Sequence, residues 1–128
     1  MHMKTTYISA VLFLCLILFI SFADFKLQKL YNNISSQSDI IEVLLDKEDW
    51  NSAYDRTKTL LDEIKKESLL SSVYVNHVDF DNISNEAIRL CSYIQCEDIS
   101  ESHVSANILK SYAQIIKELN RFSLKNIL

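Results

Sequence analysis

Across 128 residues there is neither a glycine nor a proline. Glycine reaches positive φ at little cost and proline cannot sit inside a helix, so a chain with neither lacks the residues that most readily turn or break one. Long helices joined by short polar turns follow, and the fold class expected is all-α. The same absence removes whole classes of site. Phosphate-cradling loops, dinucleotide fingerprints and nucleophile elbows all need glycine where the backbone bends sharply or approaches a ligand. No other catalytic signature stands in their place, and the chain is not expected to be an enzyme.

Residues Thr5 to Ala23 carry no charge over 19 positions, and Val11 to Phe22 is dominated by Val, Leu, Ile and Phe. As a helix rising about 1.5 Å per residue, this stretch just crosses a hydrocarbon layer of roughly 30 Å. Residues 1–23 are therefore read as a membrane anchor and 24–128 as a helical domain. A cleaved signal peptide is the alternative, since Ser21-Phe22-Ala23 is a small-x-small site after a short apolar region. A lipoprotein signal fits less well, because Leu14 precedes Cys15 where a small residue is needed. From Phe25 to Leu45 nothing interrupts a helix, and Leu27, Leu30, Ile34, Ile41, Leu44 and Leu45 recur at helical spacing. One rod then runs from membrane to domain. Lys4 flanks the span on one side and Lys26 and Lys29 on the other, so the Lys/Arg bias does not set the orientation; the domain is expected outside, at the cell membrane, after a single pass.

Asp46-Lys47-Glu48-Asp49 suits a turn, with Asp49 as N-cap of a second helix. Trp50, Ala53, Thr57, Leu60 and Ile64 form its apolar stripe, and it is predicted to run to about Val75. Asn76 to Asn82 reads as a connector in which Asp81 or Asn82 caps a third helix, buried through Ile83, Ala87, Leu90, Cys91 and Ile94. Asp98 with Glu101 resembles a capping box for a fourth helix, whose apolar face is predicted as Val104, Ile108, Tyr112, Ile115, Ile116 and Leu119. Short connections imply antiparallel neighbours, hence an N-terminal transmembrane helix followed by a small antiparallel bundle of about four helices. Asp49-Trp50-x-x-Ala53 is similar to the helix starts of tetratricopeptide repeats, but no period near 34 residues recurs and a solenoid is not supported.

Lys4 is the only charged side chain before Asp24, so the rest of the chain holds 12 Lys and Arg against 17 Asp and Glu, a net −5. Interspersed charges of that balance speak against nucleic acid as a partner. Cys15, Cys91 and Cys96 are read as free thiols, the last two lying five apart in a helical pattern, where their Cα atoms exceed bridging distance. His77, Asp79 and Asp81 place an imidazole and two carboxylates within five residues, a set able to hold a divalent metal. The same residues serve equally as helix caps, and neither a metal nor any other cofactor is assigned. Trp50 is either core or an interaction anchor. The apolar tail Ser123-Leu124-Lys125-Asn126-Ile127-Leu128 either folds back on the bundle or docks on a partner.

Asp49-Trp50-x-x-Ala53, His77-x-Asp79-Phe80-Asp81-x-Ile83, Tyr93-Ile94 with Asp98, and Ser123-Leu124-x-Asn126-Ile127-Leu128 occur in an order that resembles a family of uncharacterised bacterial membrane proteins, the domain of unknown function 4363. The family usually has an acidic residue and isoleucine where Asp79-Phe80 stand here. The resemblance covers nearly the whole chain and implies a one-helix anchor, a helical domain, no enzymatic activity and no cofactor. It also implies a neighbouring membrane partner. The expectation is a structural or adaptor protein that binds a membrane protein or a second copy of itself, and the alternative is a metal- or ligand-sensing domain built on His77, Asp79 and Asp81.

Overall fold

The 45 residues from His2 to Asp46 form one unbroken helix, α1, about 67 Å long at 1.5 Å per residue. It enters a bundle completed by α2 (Trp50–Ser71), α3 (His77–Gln95) and α4 (Ile99–Ile127). The computed structural model describes residues 2–71 and 77–127, with side chains at 3–22, 24–68 and 78–119. Among the described residues there is no strand, and each helix packs against two others: α1 and α3 each lie between α2 and α4. The result is a closed ring of four helices. Its core comprises Leu27, Leu30, Tyr31, Ile34, Ile41 and Leu45 from α1, with Ala53, Leu60, Ile64, Phe80, Ile83, Ala87, Leu90, Ile94, Ala106, Leu109, Ala113 and Ile116. Burying each large aliphatic side chain contributes about 1.5–3 kcal/mol, enough to order helices of about five to twelve turns.

The first half of α1 takes no part in this core. Met3, Tyr7, Leu12, Phe13, Leu18 and Phe19 are all more than half exposed. Among the described residues, α1 holds the one stretch long and apolar enough to cross a membrane, and that stretch is not buried.

Two turns at the far end of the bundle solve the same problem without glycine. At Glu48 and at Glu97 the backbone takes φ of 56° and 54°. The Glu48 and Asp49 N–H groups donate to the Leu45 and Leu44 carbonyls, each at 3.0 Å, and Glu97 and Asp98 donate to Ile94 and Tyr93 in the same way. These bonds satisfy the last carbonyls of α1 and α3. Asp49 and Asp98 then cap the next helix: Asp49 Oδ1 accepts from Ser52 N–H at 3.3 Å and Asp98 Oδ1 from Glu101 N–H at 3.1 Å, as their spacing predicted.

Glu48 and Glu97 are 49 residues apart, and that offset organises the whole bundle. Buried Tyr31, Ile34, Ser38, Ile41 and Leu45 of α1 correspond to buried Phe80, Ile83, Ala87, Leu90 and Ile94 of α3. Ala53, Thr57, Leu60 and Ile64 of α2 correspond likewise to Ser102, Ala106, Leu109 and Ala113 of α4. Even the polar pairs match, since Arg56 donates to Gln37 at 3.0 Å and Ser105 to Glu86 at 2.8 Å. The domain is two copies of one helical hairpin.

Two predictions need correction. The third helix begins at His77, six residues before Ile83, so the predicted connector is largely helical. Phe80 explains this: it is buried, its ring centroid lies 6.5 Å from that of Tyr31, and Asp79 suits the helix N-terminus. In α4, of the six residues predicted as the apolar face only Ile116 is buried. Val104, Ile108, Ile115 and Leu119 are exposed, and the core is lined instead by Ser102, Ser105, Ala106, Leu109, Ala113 and Ile116. The small residues let α4 approach its neighbours closely.

Candidate functional site

The residues singled out by sequence fall in separate places. Trp50 opens α2 and is half-buried against the core. His77, Asp79 and Asp81 lie in the first turn and a half of α3, where 3.6 residues per turn set position 79 about 160° around the axis from position 77. Asp79 is half-buried and Asp81 exposed, while the His77 side chain lies outside those described. Among the described residues, no group of three His, Cys, Asp or Glu is placed to hold a metal ion. Ser123, Leu124, Asn126 and Ile127 belong to the last turns of α4, with side chains outside those described, and Leu128 lies outside the described residues.

The flank between α1 and α4 carries a polar ladder. Asp46 Oδ1 meets His103 Nε2 at 2.8 Å, Lys110 Nζ donates to Asp39 Oδ1 at 2.7 Å, and Lys117 Nζ donates to Asn32 Oδ1 at 2.7 Å. Each rung is seven residues down α1 and seven up α4, the repeat of a two-helix seam. Glu42 adds a second carboxylate 3.8 Å from His103. The Asp39 hydrogen bond raises the Lys110 ammonium above its usual range. One further step of seven brings position 124 level with position 25. The end of α4 therefore lies where α1 leaves its apolar half.

Among the described residues, the equivalent flank between α2 and α3 has no such ladder. Cys91 sits there half-buried, its thiol pushed up by burial, with Lys58 and Lys65 opposing and Asp62 reinforcing the shift. Inside the seam between α3 and α4, the Glu86 carboxylate is buried, held by Ser105 Oγ at 2.8 Å and by Arg89 Nη1 at 3.0 Å. That pairing satisfies a group whose burial alone would cost several kcal/mol, about 3–5 when one partner is lost.

The outer face of α4 is the feature that the bundle does not use. Val104, Ile108, Ile115 and Leu119 recur at steps of four, seven and four residues, and they are 52%, 36%, 56% and 58% exposed. The hairpin repeat supplies an internal control. The first three positions correspond on α2 to Asp55, Thr59 and Lys66, all exposed and polar, as an outward helix face in water should be. Two helices with the same role in the bundle thus present opposite chemistry to their surroundings. The sequence reading saw the apolar stripe but assigned it to the core; comparison of the chain with itself at 49 residues would have separated the two faces.

The protein family described as "Domain of unknown function (DUF4363)" matches residues 21–127. No curated protein and no solved structure matches the chain.

Proposed function

We propose, from the premise that this chain belongs to the DUF4363 family, that it is a membrane-anchored helical adaptor. The apolar half of α1 holds it in a bilayer, and the outer face of α4 binds a neighbouring membrane protein or a second copy. The observation that carries this reading is the exposed stripe Val104, Ile108, Ile115 and Leu119, whose first three positions are polar on the matching helix. Exposed apolar residues gathered on one helix face mark an interaction site. The exposed apolar half of α1 supports the anchor, since a helix in a soluble core would be covered.

The test transplants the outer face of α2 onto α4. Wild-type protein extracted from its native membrane in mild detergent should elute with a partner or as an oligomer. The variant Val104→Asp, Ile108→Thr, Ile115→Lys should keep its helicity and elute alone. A wild type that is already a lone monomer with nothing co-purifying, or a variant that keeps its partners, defeats the adaptor role.

A further inference from the structure

Where α1 leaves its apolar half, a groove of about 620 Å³ opens between α1 and α2. Its walls are ordered by chemistry along the bundle axis. Exposed Phe22 and Phe25 stand at the membrane end, with the Lys26 ammonium 5.2 Å from the Phe22 ring centroid. Lys29 follows on α1. On the facing wall Asn33 donates to Glu63 at 2.6 Å, and that bond fixes how the two helices are aligned. One helical turn closer to the membrane, four residues along each antiparallel helix, Lys29 comes level with Glu67. The sequence of groups from the bilayer outward is therefore aromatic rings, the Lys26 ammonium, then Lys29 level with Glu67 on the opposite side, and last Glu63.

We propose that this groove holds the headgroup of an aminophospholipid, a zwitterion with a phosphate and a primary ammonium. The proposal rests on the membrane-anchored reading above and names the lipid that such an anchor meets. A phospholipid presents acyl chains and glycerol, then phosphate, then the terminal amine, and the groove likewise runs from aromatic rings through a first ammonium at Lys26 to a last carboxylate at Glu63. Lys26 and Lys29 take the phosphate through charge-assisted hydrogen bonds, and Glu63 and Glu67 take the ammonium. Lysines beside a span commonly attract anionic lipid, but here two carboxylates balance them and repel a second negative charge. A quaternary choline has no N–H to donate to those carboxylates, so the primary amine is the better partner.

The full-length chain in mild detergent is mixed with equal amounts of phosphatidylethanolamine, phosphatidylcholine and phosphatidylglycerol of identical acyl chains, and retained lipid is read by native mass spectrometry. Phosphatidylethanolamine should be retained about tenfold over each of the others, the difference made by one charge-assisted contact. Glu63→Gln with Glu67→Gln should abolish the preference over phosphatidylglycerol, and Lys26→Ala with Lys29→Ala should lower retention of phosphatidylethanolamine itself. Equal retention of the three lipids, a preference for phosphatidylglycerol, or a preference unchanged in the glutamine variant overturns the assignment. Alkaline carbonate extraction of native membranes separates the two readings. If the chain stays in the membrane and shows no headgroup preference, only the lipid site fails; if it is extracted, the anchor and the site fall together.

Discussion

Glu48 and Glu97 occupy left-handed conformations that glycine enters freely and other residues enter at a cost of about 1–2 kcal/mol. Neither turn is at fault in its hydrogen bonds, so the cost is local to the two backbones. Glu48→Gly and Glu97→Gly should each raise stability by about 0.5–1 kcal/mol, after allowing for glycine's greater freedom in the unfolded chain. Urea unfolding of single and double variants checks this, and the double variant tests whether the two turns act independently. A loss of stability at either site would mean that the glutamate side chain contributes more than its backbone costs. At this scale the sequence was informative. Asp49 and Asp98 could be read as caps from their place before an apolar stripe. The left-handed glutamates could not, because a glutamate rarely signals that conformation.

The helix α4 shows what periodicity alone can miss. It carries two stripes, and the bulkier one, with Val104, Ile108, Ile115 and Leu119, faces outward while Ser102, Ala106 and Ala113 face the core. Side-chain size favours the outer stripe in any count of apolar residues, whereas the inner one is set by how closely α4 must approach its neighbours. Ala113→Leu should therefore cost about 1–3 kcal/mol by overpacking, and Ile115→Lys should change stability by no more than about 0.5 kcal/mol. Thermal melts of the two variants decide between the faces; the reverse order would restore the stripe to the core. On α1, α2 and α3 the apolar stripe read from sequence agrees with the buried positions, while the predicted end of α2 near Val75 lies outside the described residues. The start of α3 was missed for a different reason. Phe80 stands among polar residues, and only its contact with Tyr31 across the bundle shows that the helix must reach back to include it.

For the whole molecule, the one apolar segment and the helical bundle were legible from the uncharged run and the absent helix breakers, whereas the hairpin repeat and the alignment of α4 with α1 were not. Both depend on pairing between segments far apart in sequence, such as Lys117 with Asn32. The single-pass reading makes a prediction of its own. Cys96 is exposed at the far turn, Cys91 is half-buried, and Cys15 lies in the apolar half of α1. With Cys15 and Cys91 replaced by Ser, an impermeant maleimide should label Cys96 in intact cells, placing the bundle outside. Labelling only after lysis would place it in the cytoplasm.

An unbroken α1 also behaves as a drive shaft. Nothing between its apolar half and Leu27 can act as a joint, so, with α1 anchored as proposed, the azimuth of the span within the bilayer and the compass bearing of the α4 stripe are one degree of freedom. A neighbour that turned the span by a single residue's worth of helix would swing the stripe through about 100°. In the proposed anchored adaptor, contact made wholly inside the membrane thereby steers what the domain offers to a partner beyond it.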